Sequence, residues 1–86
     1  MAKYKLVIKA SVAKDLRTIP KKDVRRILDR IAALADDPRP AGAKKLSGDE
    51  KYRLRQGNYR ILYLIEDALV TVVVVKVGHR RAVYRG

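Results

Sequence analysis

Four arginines, Arg53, Arg55, Arg60 and Arg80, fall in the last third of the chain, with His79 and Tyr84 beside the fourth. That stretch reads Y-R-L-R-Q-G-N-Y-R-I-L-Y-L-I from Tyr52 and V-G-H-R-R-A-V-Y-R from Val77. Guanidinium groups stay protonated and present forked donors that match phosphate oxygens. Several converging on one point suit a polyanion, and they also suit the charge that develops on a reacting phosphate.

The elements that must position these side chains are legible in the spacing. Lys51 to Gln56 alternates, with Tyr52 and Leu54 on one face and Arg53 and Arg55 on the other. Two residues along a strand separate the arginines by roughly 6.5–7 Å. Gly57-Asn58 is a two-residue hairpin signal. It sets Arg60, at the start of a strand over Tyr59–Ile65, near Arg55. Asp67-Ala68 marks the next turn. Leu69 to Val77 is apolar on both faces and reads as a central strand, after which Gly78 bends the chain toward Arg80 and Arg81.

Upstream, Tyr4 to Lys9 reads as a first strand. Ser11 is the expected N-cap of a short helix to Ile19, and Pro20 breaks it. Val24, Ile27, Leu28, Ile31, Leu34 and Ala35 form one stripe of a second helix, opposite Arg25, Arg26, Asp29 and Arg30. Residues 38–49 are expected to be a polar connection carrying Lys44 and Lys45. The architecture is α+β in a single domain, 1–86. One strand and two helices precede a three-stranded antiparallel meander, with the helices on one sheet face and the arginines on the other.

Composition narrows the partners. Twenty-one Lys and Arg against nine Asp and Glu give a net charge of +12 in 86 residues. The excess runs through both halves: ten basic and five acidic residues in 1–38, eleven and four in 39–86. Such a domain attracts RNA, DNA, an anionic membrane or an acidic protein. With no cysteine and one histidine, no thiolate or histidine-rich metal site is expected, and no cofactor. Lysines at 3, 5 and 9 leave no room for a secretory apolar core, and no stretch is long enough to span a bilayer. A cytoplasmic location and no membrane partner are expected.

Taken singly, each candidate has a plainer reading. Alternating arginines on a strand also make a solvated face. Tyr84 also packs near a terminus, and His79 after a glycine also serves as a surface residue. Tyr52, Tyr59 and Tyr63 share the apolar parity of their strands and read as packing residues. Lys44 and Lys45 are ordinary loop charges unless RNA reaches them.

The order L-S-G…Y-R-L-R-x-G-x-Y-R-I-x-Y-x-I…V-x-V-V-x-V-G-H-R-x-x-V-Y resembles the RelE toxins of the RelE/ParE superfamily. The likeness extends through A-K-D-L-R-T-I-P and D-P-R-P-A-G-A-K-K-L to essentially the whole chain. It implies the toxin of a type II toxin–antitoxin pair, a metal-independent mRNA endonuclease acting in the ribosomal A site. It also implies an acidic RelB-like antitoxin that wraps the basic face, and operator DNA bound only through the toxin–antitoxin complex. Carried over by position, Arg53, Arg55, Arg60, Arg80 and Tyr84 are the implied catalytic set. His79 is the candidate acid or base, and Lys44, Lys45, Lys51 and Arg81 are candidate RNA contacts. Arg53 and Arg55 stand where the best-known member has lysines, and arginine is a poor base. Two alternatives stay open. One is a ParE-like gyrase inhibitor, a relative that lacks the full basic and tyrosine set. The other is a non-catalytic RNA- or protein-binding module.

Overall fold

The structure is a computed structural model that describes residues 3–46 and 51–79. Its elements run β1 (Lys5–Ile8), α1 (Ala10–Arg17), α2 (Lys21–Ala33), β2 (Lys44–Lys45), β3 (Lys51–Gln56), β4 (Tyr59–Glu66) and β5 (Thr71–His79), with a 3-10 turn at Asp67–Leu69. One five-stranded sheet has the order β1-β5-β4-β3-β2. The expected meander β3-β4-β5 is antiparallel, and β1 joins its far side parallel to β5.

Parallel pairing of the first and last strands needs a crossover, and the two helices supply it. Both pack on one sheet face. Val12, Ile19, Ile27, Ile31 and Leu34 meet Tyr52, Leu54, Ile61, Tyr63, Ile65, Val72, Val74 and Val77 in one buried cluster. The strand alternation read from sequence is therefore the division between core and open face.

Several boundaries differ from the sequence reading. α1 starts at Ala10 with Lys9 at its N-cap, not Ser11, and no side chain caps it. The Lys9 N–H is bound to the Val74 carbonyl at 3.1 Å, so the chain leaves the sheet and turns into the helix in one step. The helix ends at Arg17, and Ile19 is buried beyond it. In α2, Leu28 is 41% exposed. At 100° per residue it sits on the edge of the stripe defined by Ile27, Ile31 and Leu34, and the sheet does not reach it.

The connection after α2 is not wholly irregular. Lys44 and Lys45 pair with β3 as an edge strand, Lys44 opposite Arg53 and Lys45 opposite Tyr52. Gly78 does not bend the chain either; it lies inside β5, opposite Arg60. The irregularity in β5 lies earlier. Leu62 faces Lys76 while Tyr63 faces Val74, so Val75 is an extra residue. This bulge shifts the parity of the strand, which is why Val72, Val74 and Val77 can all point into the core.

The turn into β5 is strained. Val70 has φ 47 and ψ 50, a left-handed conformation that a β-branched residue rarely adopts. Its N–H reaches the Asp67 carbonyl at 3.0 Å, and its own carbonyl accepts from the Lys5 N–H at 2.8 Å, so β1 holds it in place. The left-handed region costs a side chain about 1–2 kcal/mol. Val70→Gly is expected to raise stability in urea unfolding by no more than about 0.5 kcal/mol, because the relieved strain is offset in large part by added chain entropy and lost packing.

Candidate nucleic-acid interface

The register of the meander assembles the cations on the face away from the helices. Directly opposed residues in an antiparallel ladder share a face. Arg55 faces Arg60, and Arg60 in turn faces Gly78, which makes one rung across β3, β4 and β5. Two residues along, Lys44, Arg53, Leu62 and Lys76 make a second rung across β2 to β5. Gly42, Lys44, Arg53 and Arg55 line a 280 Å³ cleft along the β2 edge. Arg55 is exposed and Arg53 half-buried, whereas Arg60 is only 4% exposed. A guanidinium that deep is not part of a plain solvated face.

Other expected residues fall elsewhere. Lys51 shares the arginine face but lies four residues from Arg55, opposite Leu64, at roughly 13 Å along the strand. Lys45 has the parity of Tyr52, so only Lys44 of the pair joins the arginine face. His79 faces Tyr59, one residue beyond the Arg60–Gly78 rung and with the opposite pleat parity. Its ring meets the Tyr59 ring edge-on at 5.8 Å. Arg80, Arg81 and Tyr84 lie outside the described residues. Among the described residues, no group of three His, Cys, Asp or Glu side chains is placed to hold a metal ion. No helix among them is long and apolar enough to cross a membrane.

The end of the sheet far from Arg60 carries a polar clasp that no periodicity announces. Arg39 holds Asp67 through two nitrogens at 2.8 and 3.3 Å. Its Nε donates to the Tyr52 hydroxyl at 3.0 Å, and its guanidinium lies 5.4 Å from the Tyr52 ring centre. The Tyr4 hydroxyl donates to Asp67 at 2.8 Å. Tyr63, stacked on Tyr52 at 5.7 Å, donates its hydroxyl to the Pro38 carbonyl at 2.8 Å. Burial pushes the Tyr63 phenol up to about 12. The hydrogen bonds from Arg39 and then Tyr4 hold the Asp67 carboxyl below its usual range. This clasp fixes the segment from Pro38 that leads to Gly42 and Lys44, so it sets where the basic cleft begins. Tyr52 and Tyr63 thus belong to the packing, as their parity implied.

Known proteins share this fold. Residues 6–84 match the family described as ParE toxin of type II toxin–antitoxin system, parDE. That match places the chain among the toxins of such systems. Toxin RelE of Mycobacterium tuberculosis is 31% identical over 95% of this chain and 87% of its own length. Toxin RelG of the same organism is 29% identical over 95% and 97%. Among solved structures, the toxin–antitoxin complex RelBE2 of Mycobacterium tuberculosis superposes with a TM-score of 0.79 at 27% identity, over 91% of this chain and 99% of that one. The archaeal RelE–RelB complex of Pyrococcus horikoshii gives 0.78 at 29%, over 93% and 97%. The chain belongs to the RelE family within the RelE/ParE toxin superfamily.

Two outcomes test the clasp. Tyr63→Phe leaves the Pro38 carbonyl without its donor, and thermal unfolding should show a loss of about 1–2 kcal/mol, or roughly 5–10 °C. Asp67 has a folded pKa below the unfolded value of about 3.9, so its contribution is present above that value and disappears as pH falls through the folded one. The stability gap between wild type and Asp67→Asn, read by urea unfolding across pH, should stay constant from pH 8 to 6 and close below about pH 4.

Proposed function

We propose that this toxin is a metal-independent endoribonuclease that cuts mRNA in the ribosomal A site and so stops translation. The observation that carries the reading is the rung Arg55–Arg60–Gly78 with Arg53 and Lys44 beside it on one open face. The ribose 2′-OH attacks the adjacent phosphorus, the 5′ oxygen leaves, and a 2′,3′-cyclic phosphate and a free 5′-OH result. The dianionic phosphorane is the species that gains most from fixed guanidinium groups. Arg60 and Arg80 are assigned to it, Arg53 to holding the backbone, and Tyr84 to stacking on a base and orienting the 2′-OH. Arg55 stays protonated, so it stabilises charge and does not take the proton. His79 or Tyr84 is the group assigned to proton transfer. Lys44, Lys45, Lys51 and Arg81 extend the phosphate track.

The partner is an acidic antitoxin. Several solved RelE relatives are in complex with RelB antitoxins, and a net charge of +12 asks for a neutralising chain. An amphipathic, largely disordered segment that orders on the basic face fits that requirement. Operator DNA is reached only through that complex. A second reading is inhibition of DNA gyrase, favoured by one observation: the matching family is described by its ParE members.

The test is primer extension on a defined mRNA, comparing naked RNA with ribosomes that hold an empty A site. Cuts in the A site only on ribosomes are expected. Arg55→Ala, exposed and therefore harmless to the fold, should slow them by about 10²–10³, and Arg80→Ala should abolish them. Uncut RNA in both samples together with inhibited supercoiling by gyrase selects the second reading.

A further inference from the structure

The far end of β5 runs past its parallel neighbour. β1 pairs with β5 only as far as Ile8 opposite Val74, and β5 continues to His79. Beyond that point α1 meets the strand in place of β1. The Val77 N–H donates to Asp15 Oδ2 at 3.3 Å, a side chain standing in for a ladder bond. Between this strand edge and the end of α1 lies a cleft of about 340 Å³, in the range of small-ligand pockets. Asp15, Thr18 and Ile19 line one side of it, and Tyr59 with residues 76–79 of β5, Lys76 among them, the other.

We propose that this cleft is a nucleobase subsite, selective for bases that carry an exocyclic amino group. The inference rests on the RNA-binding reading and adds a specificity determinant to it. Lys76 lines the cleft from a strand position of arginine-face parity, so Asp15 is the charge that enters from the helix side, and it makes the cleft a poorer phosphate site than the arginine face. The part of a nucleotide that a carboxylate recognises is an N–H on the base edge. Asp15 Oδ2 accepts from the Val77 N–H, which ties the carboxylate to β5, while no hydrogen bond from the described residues to Oδ1 accompanies it. An amino group of adenine, cytosine or guanine donates to it. Uracil presents a carbonyl at that place and is rejected. The edge-on Tyr59–His79 pair supplies aromatic surface for the ring, and Ile19 an apolar floor.

Position supports the assignment. Tyr59 and His79 form the rung next to Arg60 and Gly78, about 3.3 Å further along the strands and on the other pleat face. In this scheme an RNA strand whose phosphate is held at the Arg55 end of that rung places a neighbouring base at the cleft one rung along. Asp15 is a specificity residue in this scheme and takes no part in the bond-breaking step.

Uncleavable 2′-deoxy trinucleotides that exchange one amino group for a hydrogen, or for a carbonyl with its ring N–H, test this. The middle base is adenine or purine in one pair and cytosine or uracil in the other. Binding to the full chain is followed by NMR on the Tyr59 and His79 ring signals. Adenine and cytosine should shift those signals and bind about tenfold more tightly than purine and uracil, the worth of one hydrogen bond to a charged group. Asp15→Asn keeps an oxygen for the Val77 N–H, so its amide spectrum should stay native while the tenfold preference falls to within twofold. Equal binding within each pair, unmoved Tyr59 and His79 signals, or a preference that survives in Asp15→Asn would overturn the subsite. Because nothing is cut in this experiment, amino selectivity without ribosomal cleavage removes only the nuclease reading. Cleavage without amino selectivity removes only the subsite.

Discussion

Two short helices can cover only one face of a five-stranded sheet, and everything else about this molecule follows from which face they cover. Eighty-six residues leave little apolar surface to spare. The strands therefore split by parity. Leu54, Ile61, Tyr63 and Val74 go to the helices, and the residues between them must live on the other side. Arg53, Arg55 and Arg60 share a face because their neighbours are needed in the core. The functional surface is thus the complement of the packing surface, and a one-residue slip in register would exchange the two. The bulge at Val75 and the tight turn at Gly57-Asn58 keep that register.

The open face is not uniform. Arg55 is solvated, while Arg60 is nearly enclosed on the same rung. Taking a guanidinium out of water is costly, and the cost is offset only where something in its surroundings answers the charge. In the nuclease reading, less water screens Arg60 than Arg55 from a phosphate on that rung. That reading divides the labour by depth, with capture at Lys44, Arg53 and Arg55 and stabilisation at Arg60.

Much of this was legible in the sequence, and the parts that were not share a cause. The alternation Tyr52-Arg53-Leu54-Arg55, the Gly57-Asn58 turn and the α2 stripe are local patterns several residues long, and the structure follows them. β2 is two residues long, too short for any period, and only its pairing with β3 defines it. The parallel contact of β1 with β5, the bulge at Val75 and the left-handed Val70 arise from pairings between distant segments. The depth of Arg60 is likewise tertiary: nothing about Tyr59-Arg60-Ile61 distinguishes it from an exposed alternating arginine. Asp15 went unnoticed because a single acid near the end of a helix carries no signal until β5 runs past it.

The fold alone does not choose between cutting RNA and binding gyrase, since both kinds of toxin are built on it. The choice rests on what the arginine rung can do. Replacing a lysine with arginine at position 55 removes a group that can lose a proton and keeps one that cannot. A surface made this way is strong in stabilising negative charge and weak in moving protons. In the nuclease reading most of the rate then comes from the phosphorane side of the reaction, and the proton leaves by way of His79, Tyr84 or groups of the ribosome itself. That makes the dependence on the ribosome a chemical matter as well as a positional one: a cation-rich surface lacking a good base binds naked RNA readily and has little means to start the attack. In the gyrase reading the same rung has no reacting phosphate to serve, and the convergence of Arg53, Arg55 and Arg60 on one face has no chemical task.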